Sequence, residues 1–244
     1  RHNVNASTSF KFLNKTVTFN PSYQLTSLFY MDQIQKNWDP LLIQENSDTI
    51  QKFSAPYWHS FNASLTSKVY AFYRFANFLT GVKETKFRHT ITPNVNYSYR
   101  PDINYMNIYQ IDTISSVEEI EYSPFQNGIF GRPSTGSSNR ISFNLINAIE
   151  MKQKNLNDTT GKNPFNRFKI LENITFNSSY DFNKDSLKLD NIRMSGRTTL
   201  YKNLSLRFGG NIDPYDYSNG VKHDAFQYNI NGKLGTIKNV NLAL

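Results

Sequence analysis

The sequence predicts an all-β protein, an antiparallel transmembrane β-barrel of which about ten strands lie in this chain. Three observations predict this fold. Apolar and polar residues alternate over long segments, these segments exceed the length of ordinary soluble strands, and long connections alternate with shorter ones along the chain. One face of each strand therefore suits an apolar medium, and the other face suits water.

The segment from Trp58 to Phe75 shows the alternation most clearly, because apolar residues occupy most of its odd positions from Phe61 onward. A membrane-spanning strand needs about 9 to 11 residues, whereas a soluble strand usually has about five or six. Most of the alternating segments reach the longer figure. We predict strands at residues 4–13, 16–30, 59–75, 87–100, 140–152, 169–182, 191–201, 204–212, 226–234 and from about 238 onward, with loops between them.

Each of these strands has an apolar set of side chains at every second position. In the N-terminal half these sets include Val17, Phe19, Tyr23 and Leu25, then Phe61, Leu65 and Val69, then Phe87, Ile91 and Val95. In the C-terminal half they include Ile141, Phe143 and Leu145, then Ile170, Ile174 and Phe176, then Ile192 and Met194, then Leu204, Leu206 and Phe208.

The connections between the predicted strands differ in length. The longest, 31–58 and 101–139, fall on the same alternate side, and short turns such as Asn14-Lys15 and Lys202-Asn203 fall on the other. Outer-membrane barrels have short periplasmic turns and long extracellular loops. We therefore expect the long side to be extracellular.

Composition agrees with a barrel. The hydrophobic fraction is only 38% and the mean hydropathy is -0.57, as expected when half of every strand faces a wet lumen. There is no run of about 18 apolar residues that would span a bilayer as a helix. We interpret residues 1–244 as one section of an outer-membrane barrel domain, a mature or excised portion of a longer protein.

The formal net charge of +8 and the absence of cysteine bound the function further. A basic chain favours anionic partners. No RNA-binding signature or basic helix is present, so we expect a phosphorylated glycolipid and no nucleic acid. Without cysteine, neither a disulfide nor a thiolate metal site can form.

Signatures of catalysis and of metal binding are missing. His2, His59, His89 and His223 have no metal-ligand spacing, and no serine-hydrolase elbow occurs. The run Glu118, Glu119 and Glu121 is typical of a solvated acidic loop. The segment GRPSTGSS at 131–138 lacks the Gly-Lys-Ser/Thr ending of a phosphate loop, so we interpret it as a flexible loop. We predict no catalytic residue, no cofactor and no metal.

Two prolines interrupt long predicted strands. Pro21 and Pro93 each remove a hydrogen bond from the ladder between strands. A bulge that shapes the barrel is one interpretation. The other is a deliberately weakened seam through which a lipid leaves sideways.

Three strings carry a resemblance to a known family: FRHTITPNVNYSYRPD at 87–102, YSPFQNGIFGRPSTGSSNRISFNLINAIEMK at 122–152, and SGRTTLYKNLSLRFGGNIDPYDY at 195–217. They resemble the Bacteroidetes branch of the LptD family, the outer-membrane lipopolysaccharide-assembly proteins. The resemblance implies a large barrel with more strands than the chain shows, located in the bacterial outer membrane. It also implies a periplasmic bridge protein and a plug lipoprotein as partners, and it supplies no catalytic residue.

Lipopolysaccharide needs an apolar route for its acyl chains and a wet, cationic route for its phosphorylated sugar head. Arginine's planar fork matches phosphate oxygens. We therefore predict that basic residues on the polar faces line the lumen and guide the head group, although pairing with lumen carboxylates would explain them equally well. The candidates are Lys68, Arg74, Arg88, Arg100, Arg140, Arg193, Arg197 and Arg207.

Two other classes of function fit the pattern: an outer-membrane porin or nutrient receptor, and a soluble β-protein. A porin would conduct ions in planar bilayers, and a nutrient receptor would carry a plug domain and a TonB-box segment. A soluble carbohydrate-binding or adhesive β-protein would purify without detergent and pack its apolar strand faces against a second sheet.

Overall fold

The protein, in a computed structural model, is described over residues 1–73, 85–112, 116–155, 164–201, 204–218 and 220–244. Within these ranges strands form nearly all of the regular structure, and the one α-helix, α1, spans Gln227–Asn231. The strands are β1 His2–Ser7, β2 Phe10–Phe12, β3 Val17–Ser27, β4 Tyr30–Asp39, β5 Gln44–Ser54, β6 Tyr57–Ser67, β7 Val69–Tyr73, β8 Lys86–Arg100, β9 Asn107–Asp112, β10 Val117–Tyr122, β11 Ser138–Lys154, β12 Phe165–Asp181, β13 Ile192–Tyr201, β14 Leu204–Asp213, β15 Tyr215–Ser218, β16 Val221–Phe226 and β17 Thr236–Ala243.

Eleven strands form one sheet in the order β1-β3-β6-β8-β11-β12-β13-β14-β17, with β2 also paired to β3 and β7 also paired to β8. The neighbouring strands pair in antiparallel fashion in β1/β3, β2/β3, β7/β8, β11/β12, β12/β13, β13/β14 and β14/β17. The other strands of the described residues form three separate hairpins, β4/β5, β9/β10 and β15/β16. The prediction of an all-β, antiparallel fold is confirmed.

Most predicted strands match observed ones within a few residues, since β8, β11, β12, β13 and β14 correspond to five of them. The strand predicted at 4–13 is interrupted after Ser7, and the strand predicted at 59–75 is interrupted at Lys68. Arg74 and Phe75, at the end of that prediction, lie outside the described residues, as does the predicted turn Lys202-Asn203. No helix in the described ranges is long and apolar enough to cross a membrane.

The strand predicted at 226–234 is wrong. Gln227–Asn231 form the short helix α1, and Gly232 ends it in the left-handed conformation with φ 72°. Gly232 donates its N–H to the Tyr228 carbonyl at 3.0 Å, which closes the turn. Apolar residues at 226, 228 and 230 imitate strand alternation over too few residues to exclude a helical turn.

The prediction that the long connections are loops is also wrong. The connection 31–58 contains β4/β5, the connection 101–139 contains β9/β10, and the connection 214–225 contains β15/β16. In β4/β5 the Asp39 side chain accepts hydrogen bonds from the backbone N–H groups of Leu41 and Leu42, at 2.9 and 3.2 Å, and so fixes the turn.

The chain divides into two compact units. The first unit contains Arg1–Thr8, Pro21–Asn62 and Ser98–Asn139. Its core is the buried cluster of Leu28, Tyr30 and Phe125, against which Trp58 and Tyr105 pack. The Tyr30 hydroxyl donates a hydrogen bond to the Gly131 carbonyl at 2.5 Å, so the long connections fold onto their own core.

The second unit contains Ser9–Asn20, Ala63–Tyr97 and Arg140–Leu244, and includes β11 to β14 and β17. Its sheet keeps large apolar side chains exposed: Val240 and Leu242 of β17 are 66% and 67% exposed. Phe143 of β11 and Ile170 of β12 are 45% exposed. The apolar face of this sheet is therefore largely uncovered by the rest of the described chain.

Candidate functional site

The candidate site lies on the polar face of β11 to β14 and β17, where the register aligns a row of amide side chains. Asn144 lies opposite Asn177, Asn177 opposite Arg193, Arg193 opposite Asn211, and Asn211 opposite Asn239. Residues directly opposite one another in antiparallel strands share a face. Arg193 thus stands at the centre of an asparagine row that crosses five strands.

A groove of about 860 Å³ opens on this face. Its floor includes Asn144, Asn177 and Arg193, and the segment between β12 and β13 contributes Lys184 and Asp190 to its wall. Asn144 Oδ1 has no hydrogen-bond partner among the described residues although the atom is buried. The groove therefore presents donors and acceptors that a hydroxyl-bearing ligand can use.

One wall of the groove is an ion-pair network around Arg140. Its guanidinium lies 2.9 Å from Asp181 Oδ2 and 3.1 Å from Asp190 Oδ2, and Lys184 Nζ lies 2.7 Å from Asp190 Oδ1. Burial alone raises the pKa of the Asp190 carboxyl. Hydrogen bonds from Lys184 and Ser179, with the charges of Lys184 and Arg140, outweigh burial, so this pKa lies below its ordinary value.

A second pair closes the groove near β14. Asp213 is 2% exposed, and it accepts hydrogen bonds from the Tyr217 hydroxyl at 2.8 Å and the Tyr215 backbone N–H at 3.1 Å. Lys222 Nζ lies 2.9 Å from Asp213 Oδ2. Since a buried carboxylate must be paired, this Lys222 ammonium is committed to the protein.

Arg193 and Arg207 differ from these cations, because neither has an ion pair or a side-chain hydrogen bond within the described part of the chain. Both are exposed, and both line a second groove of about 520 Å³ that shares Asn177, Arg193 and Asn211 with the first. Arg197 lies directly opposite Arg207 and pairs with Glu172, 3.2 Å away.

The remaining basic candidates lie elsewhere. Arg88 forms an ion pair with Glu150, so the alternative of pairing with a carboxylate holds for Arg88, Arg140 and Arg197 alike. Lys68 is exposed between β6 and β7. Arg74 lies outside the described residues.

Arg100 belongs to the first unit and holds the segment predicted to be a flexible loop. Its guanidinium donates hydrogen bonds to the carbonyls of Gly136 and Thr135, at 2.9 and 3.1 Å, and to the Ser134 hydroxyl at 3.2 Å. Asp102 accepts a hydrogen bond from the Gly136 N–H at 3.1 Å. The segment 131–138 is thus anchored by these side chains. The Arg100 guanidinium is already hydrogen-bonded to this segment.

Where β3 pairs with β1 and β2, the register passes Pro21 without a shift, and a bulge at Pro21 that shapes the barrel stays a prediction. Ser7 pairs with Ser22 and Phe10 pairs with Phe19, so both strands advance by three residues and none is inserted. The Thr8 N–H donates to the Pro21 carbonyl at 3.2 Å. A strand residue directs its N–H and C=O to the same neighbour, so the bond that proline cannot form is missing from the pairing with β1.

Pro93 lies in β8. The β7/β8 register pairs Val69 with Ile91, and its continuation by two residues places Pro93 opposite Ser67, the last residue of β6. Asn94 donates to the Thr66 hydroxyl at 2.5 Å, in agreement with that register. The bulge at Pro93 stays a prediction.

Sequence reasoning missed the asparagine row, the carboxylates Asp181, Asp190 and Asp213, and the cations Lys184 and Lys222. The acidic residues immediately after β12 and at the end of β14 were the available signal, because charged groups at strand ends often pair with each other across a sheet. Among the described residues, no group of three or more His, Cys, Asp or Glu side chains is arranged to hold a metal ion.

A comparison with models of known protein families identifies the family of this chain. Residues 1–215 match the family model described as LptD protein, a range that includes Arg140, Arg193, Arg197 and Arg207. The chain belongs to the LptD family. No curated protein and no solved structure gives a significant match. LptD proteins are transport and assembly proteins, not enzymes, and membership associates the chain with lipopolysaccharide assembly at the outer membrane.

Proposed function

We propose that this chain forms part of the wall of an outer-membrane barrel that transports lipopolysaccharide and inserts it into the outer leaflet. The match of residues 1–215 to the LptD family carries the proposal. Its finer parts, including the Bacteroidetes branch and the number of strands in the complete barrel, extend the resemblance found in the sequence.

The two faces of the second unit's sheet support a membrane location. Val240 and Leu242 are exposed on one face, whereas Asn239 and Asn241 alternate with them on the other. A soluble sandwich would bury such an apolar face against a second sheet. Hydrocarbon chains are the medium that these side chains suit, and water in a lumen suits the asparagines.

The polar face provides the route for the sugar head. Arg193 and Arg207 are unpaired within the described chain and line the groove on this face. The other basic candidates contribute positive charge to the polar surfaces, partly offset by their carboxylate partners. On this proposal the segments 28–56 and 101–137 lie outside the cell, in accordance with the alternation of loop lengths.

Lateral release is the second element of the proposal. Pro21 weakens the pairing of β3 with β1, and Pro93 interrupts the donors of β8. A backbone seam with fewer hydrogen bonds separates at lower free-energy cost, which suits a lipid that leaves a lumen sideways. A periplasmic bridge protein delivers the lipid, and a plug lipoprotein occupies the barrel.

The test is conditional depletion of the full-length protein with complementation in trans. Surface lipopolysaccharide, measured by antibody labelling of intact cells, should fall on depletion and return with the wild-type gene. The double variant Arg193→Glu with Arg197→Glu should insert stably and restore little surface lipopolysaccharide. Normal surface labelling in depleted cells, combined with ion conductance of the purified protein in planar bilayers, would instead indicate a porin.

A further inference from the structure

We propose that the groove between Arg193 and Arg207 binds a sugar ligand that carries two phosphate groups, one held by each arginine. The inference deepens the proposed function and rests on it, because the ligand would be the head group that passes along the polar face. It adds a specific site and a specific pattern of charges on the ligand.

Arg193 and Arg207 have no carboxylate partner within the described chain. Every other cation that lines the two grooves faces a carboxylate: Arg140 faces Asp181, Lys184 faces Asp190, and Lys222 faces Asp213. Arg193 lies between asparagines on both neighbouring strands, Asn177 and Asn211. Amide groups supply hydrogen bonds and no net charge, so the Arg193 charge is available to an anion.

Arg207 faces a like charge. Arg197 lies directly opposite it on β13, and like charges in this arrangement destabilise a sheet. Glu172 is 3.2 Å from Arg197 and compensates one of the two charges. On its other side Arg207 lies opposite Ala243, which offers only a methyl group. A bound anion at Arg207 would compensate the other charge.

The spacing of the two arginines suits a ligand with two separated anionic groups. Arg207 lies level with Arg197, four residues along β13 from Arg193, which corresponds to about 14 Å along the strands. Between them Ser195 lies opposite Gly209, and the Asn241 side chain lies against Gly209, where a Cβ atom would be 2.7 Å from Asn241 Oδ1. Two anionic groups separated by sugar rings fit a depression with an arginine at each end and the Ser195 hydroxyl and the Asn241 amide between them.

Amide side chains form much of the groove wall. Asn177, Asn211, Asn239 and Asn241 line the same groove, and each amide both donates and accepts hydrogen bonds. Sugar hydroxyl groups need both kinds of partner. Each guanidinium presents a planar fork that binds a phosphate through two parallel hydrogen bonds. The groove thus combines recognition of hydroxyl groups with recognition of two phosphates.

The experiment uses the purified full-length protein in an uncharged polyoxyethylene detergent, which contains no sugar. The probes are the water-soluble diglucosamine 1,4′-bisphosphate, unphosphorylated diglucosamine and inorganic phosphate, with binding measured by titration calorimetry. We expect the bisphosphate to bind more tightly than either of the other two. Arg193→Gln and Arg207→Gln should each weaken its binding about tenfold, and the double variant should weaken it further.

The matched control is Arg167→Gln, because Arg167 is an exposed arginine of β12 that lines neither groove and has no ion pair within the described chain. Its affinity should equal that of the wild type, and thermal unfolding should show that all variants are folded. Equal affinity for inorganic phosphate and bisphosphate, or unchanged affinity in both groove variants, would overturn the site. Loss of surface lipopolysaccharide on depletion, together with no bisphosphate binding, would reject this site while the proposed function stands.

Discussion

Thr8 and Pro21 form a one-sided pair at the junction of β1 with β3. The Thr8 N–H reaches the Pro21 carbonyl at 3.2 Å, and proline returns no hydrogen bond to Thr8. Regular strand structure is interrupted at Thr8 and Ser9, although the pairs on either side keep the same register. The weakness is therefore confined to one position of an otherwise regular ladder.

Replacement Pro21→Ala should strengthen this ladder. Alanine supplies the missing N–H, and the new hydrogen bond is worth about 1 kcal/mol. Hydrogen exchange should show that the new backbone amide is protected, and surface lipopolysaccharide should decrease if the seam opens for release. Pro40→Ala, in the turn of β4/β5, is the control and should leave surface lipopolysaccharide unchanged. Undiminished display in Pro21→Ala cells would remove the seam from the mechanism.

Replacement Arg140→Ala should loosen the segment between β12 and β13. It removes the partner of Asp181 and one partner of Asp190, leaving two carboxylates near each other. Because the Arg140 side chain is 38% exposed, solvent screening limits the expected loss of unfolding free energy to about 1 kcal/mol. Denaturant titration in micelles measures this loss. Arg167→Ala should cost less, and equal losses would contradict the network.

Acid should release the link between β5 and β9. Hydrogen bonds from Lys36 and from Tyr109 lower the pKa of Glu45 below its ordinary value of 4.5. A depressed pKa stabilises the fold above the unfolded-state value, and this contribution is lost as the pH falls through the folded-state value. Trp38 lies directly opposite Glu45. In a Trp58→Phe background, its fluorescence should therefore change below pH 4.5.

The Glu45→Gln variant should lack this fluorescence transition, because its side chain cannot titrate. Asp48→Asn is the matched control, since Asp48 lies on the same strand without an ion pair in the described chain. It should keep the transition. A transition that survives in Glu45→Gln would assign the acid response to another group.

Replacement Arg100→Ala should free the segment 131–138. Three hydrogen bonds to Ser134, Thr135 and Gly136 are lost together. Limited proteolysis should then cleave this segment several-fold faster than in the wild type, because a cleavable segment must first detach locally. Arg132→Ala, which changes a neighbouring arginine, should keep the wild-type rate. Unchanged cleavage in Arg100→Ala would show that Asp102 and the backbone suffice.

Alternation predicted the strands of the large sheet because each has one apolar and one polar face, as in β8 and β11. It missed the hairpins of the long connections because β4 and β5 carry polar residues on both faces, for example in the segment QENSDTIQ of β5. Their order depends on distant contacts instead. Lys36, for instance, donates its backbone N–H to the Tyr122 hydroxyl at 3.1 Å.

The sequence also identified the basic residues of the polar faces without distinguishing paired from unpaired ones. Arg88 meets Glu150 and Arg140 meets Asp181 across gaps of 62 and 41 residues. Such partners follow from the register of the strands, which turns and bulges determine. Only when that register is known can Arg193 and Arg207 be recognised as arginines without a carboxylate partner in the described chain.

The β11/β12 ladder contains a double step: Asn147 pairs with Ile174, but Glu150 pairs with Lys169, so β12 carries two more residues than β11 between these pairs. Since two is an even number, Phe168, which pairs with Met151, remains on the same side as Phe176, which pairs with Leu145. Insertions and deletions in this stretch should therefore be tolerated in twos. A single-residue deletion would move Lys169 to the apolar face and Phe168 to the polar face, and would be expected to abolish assembly.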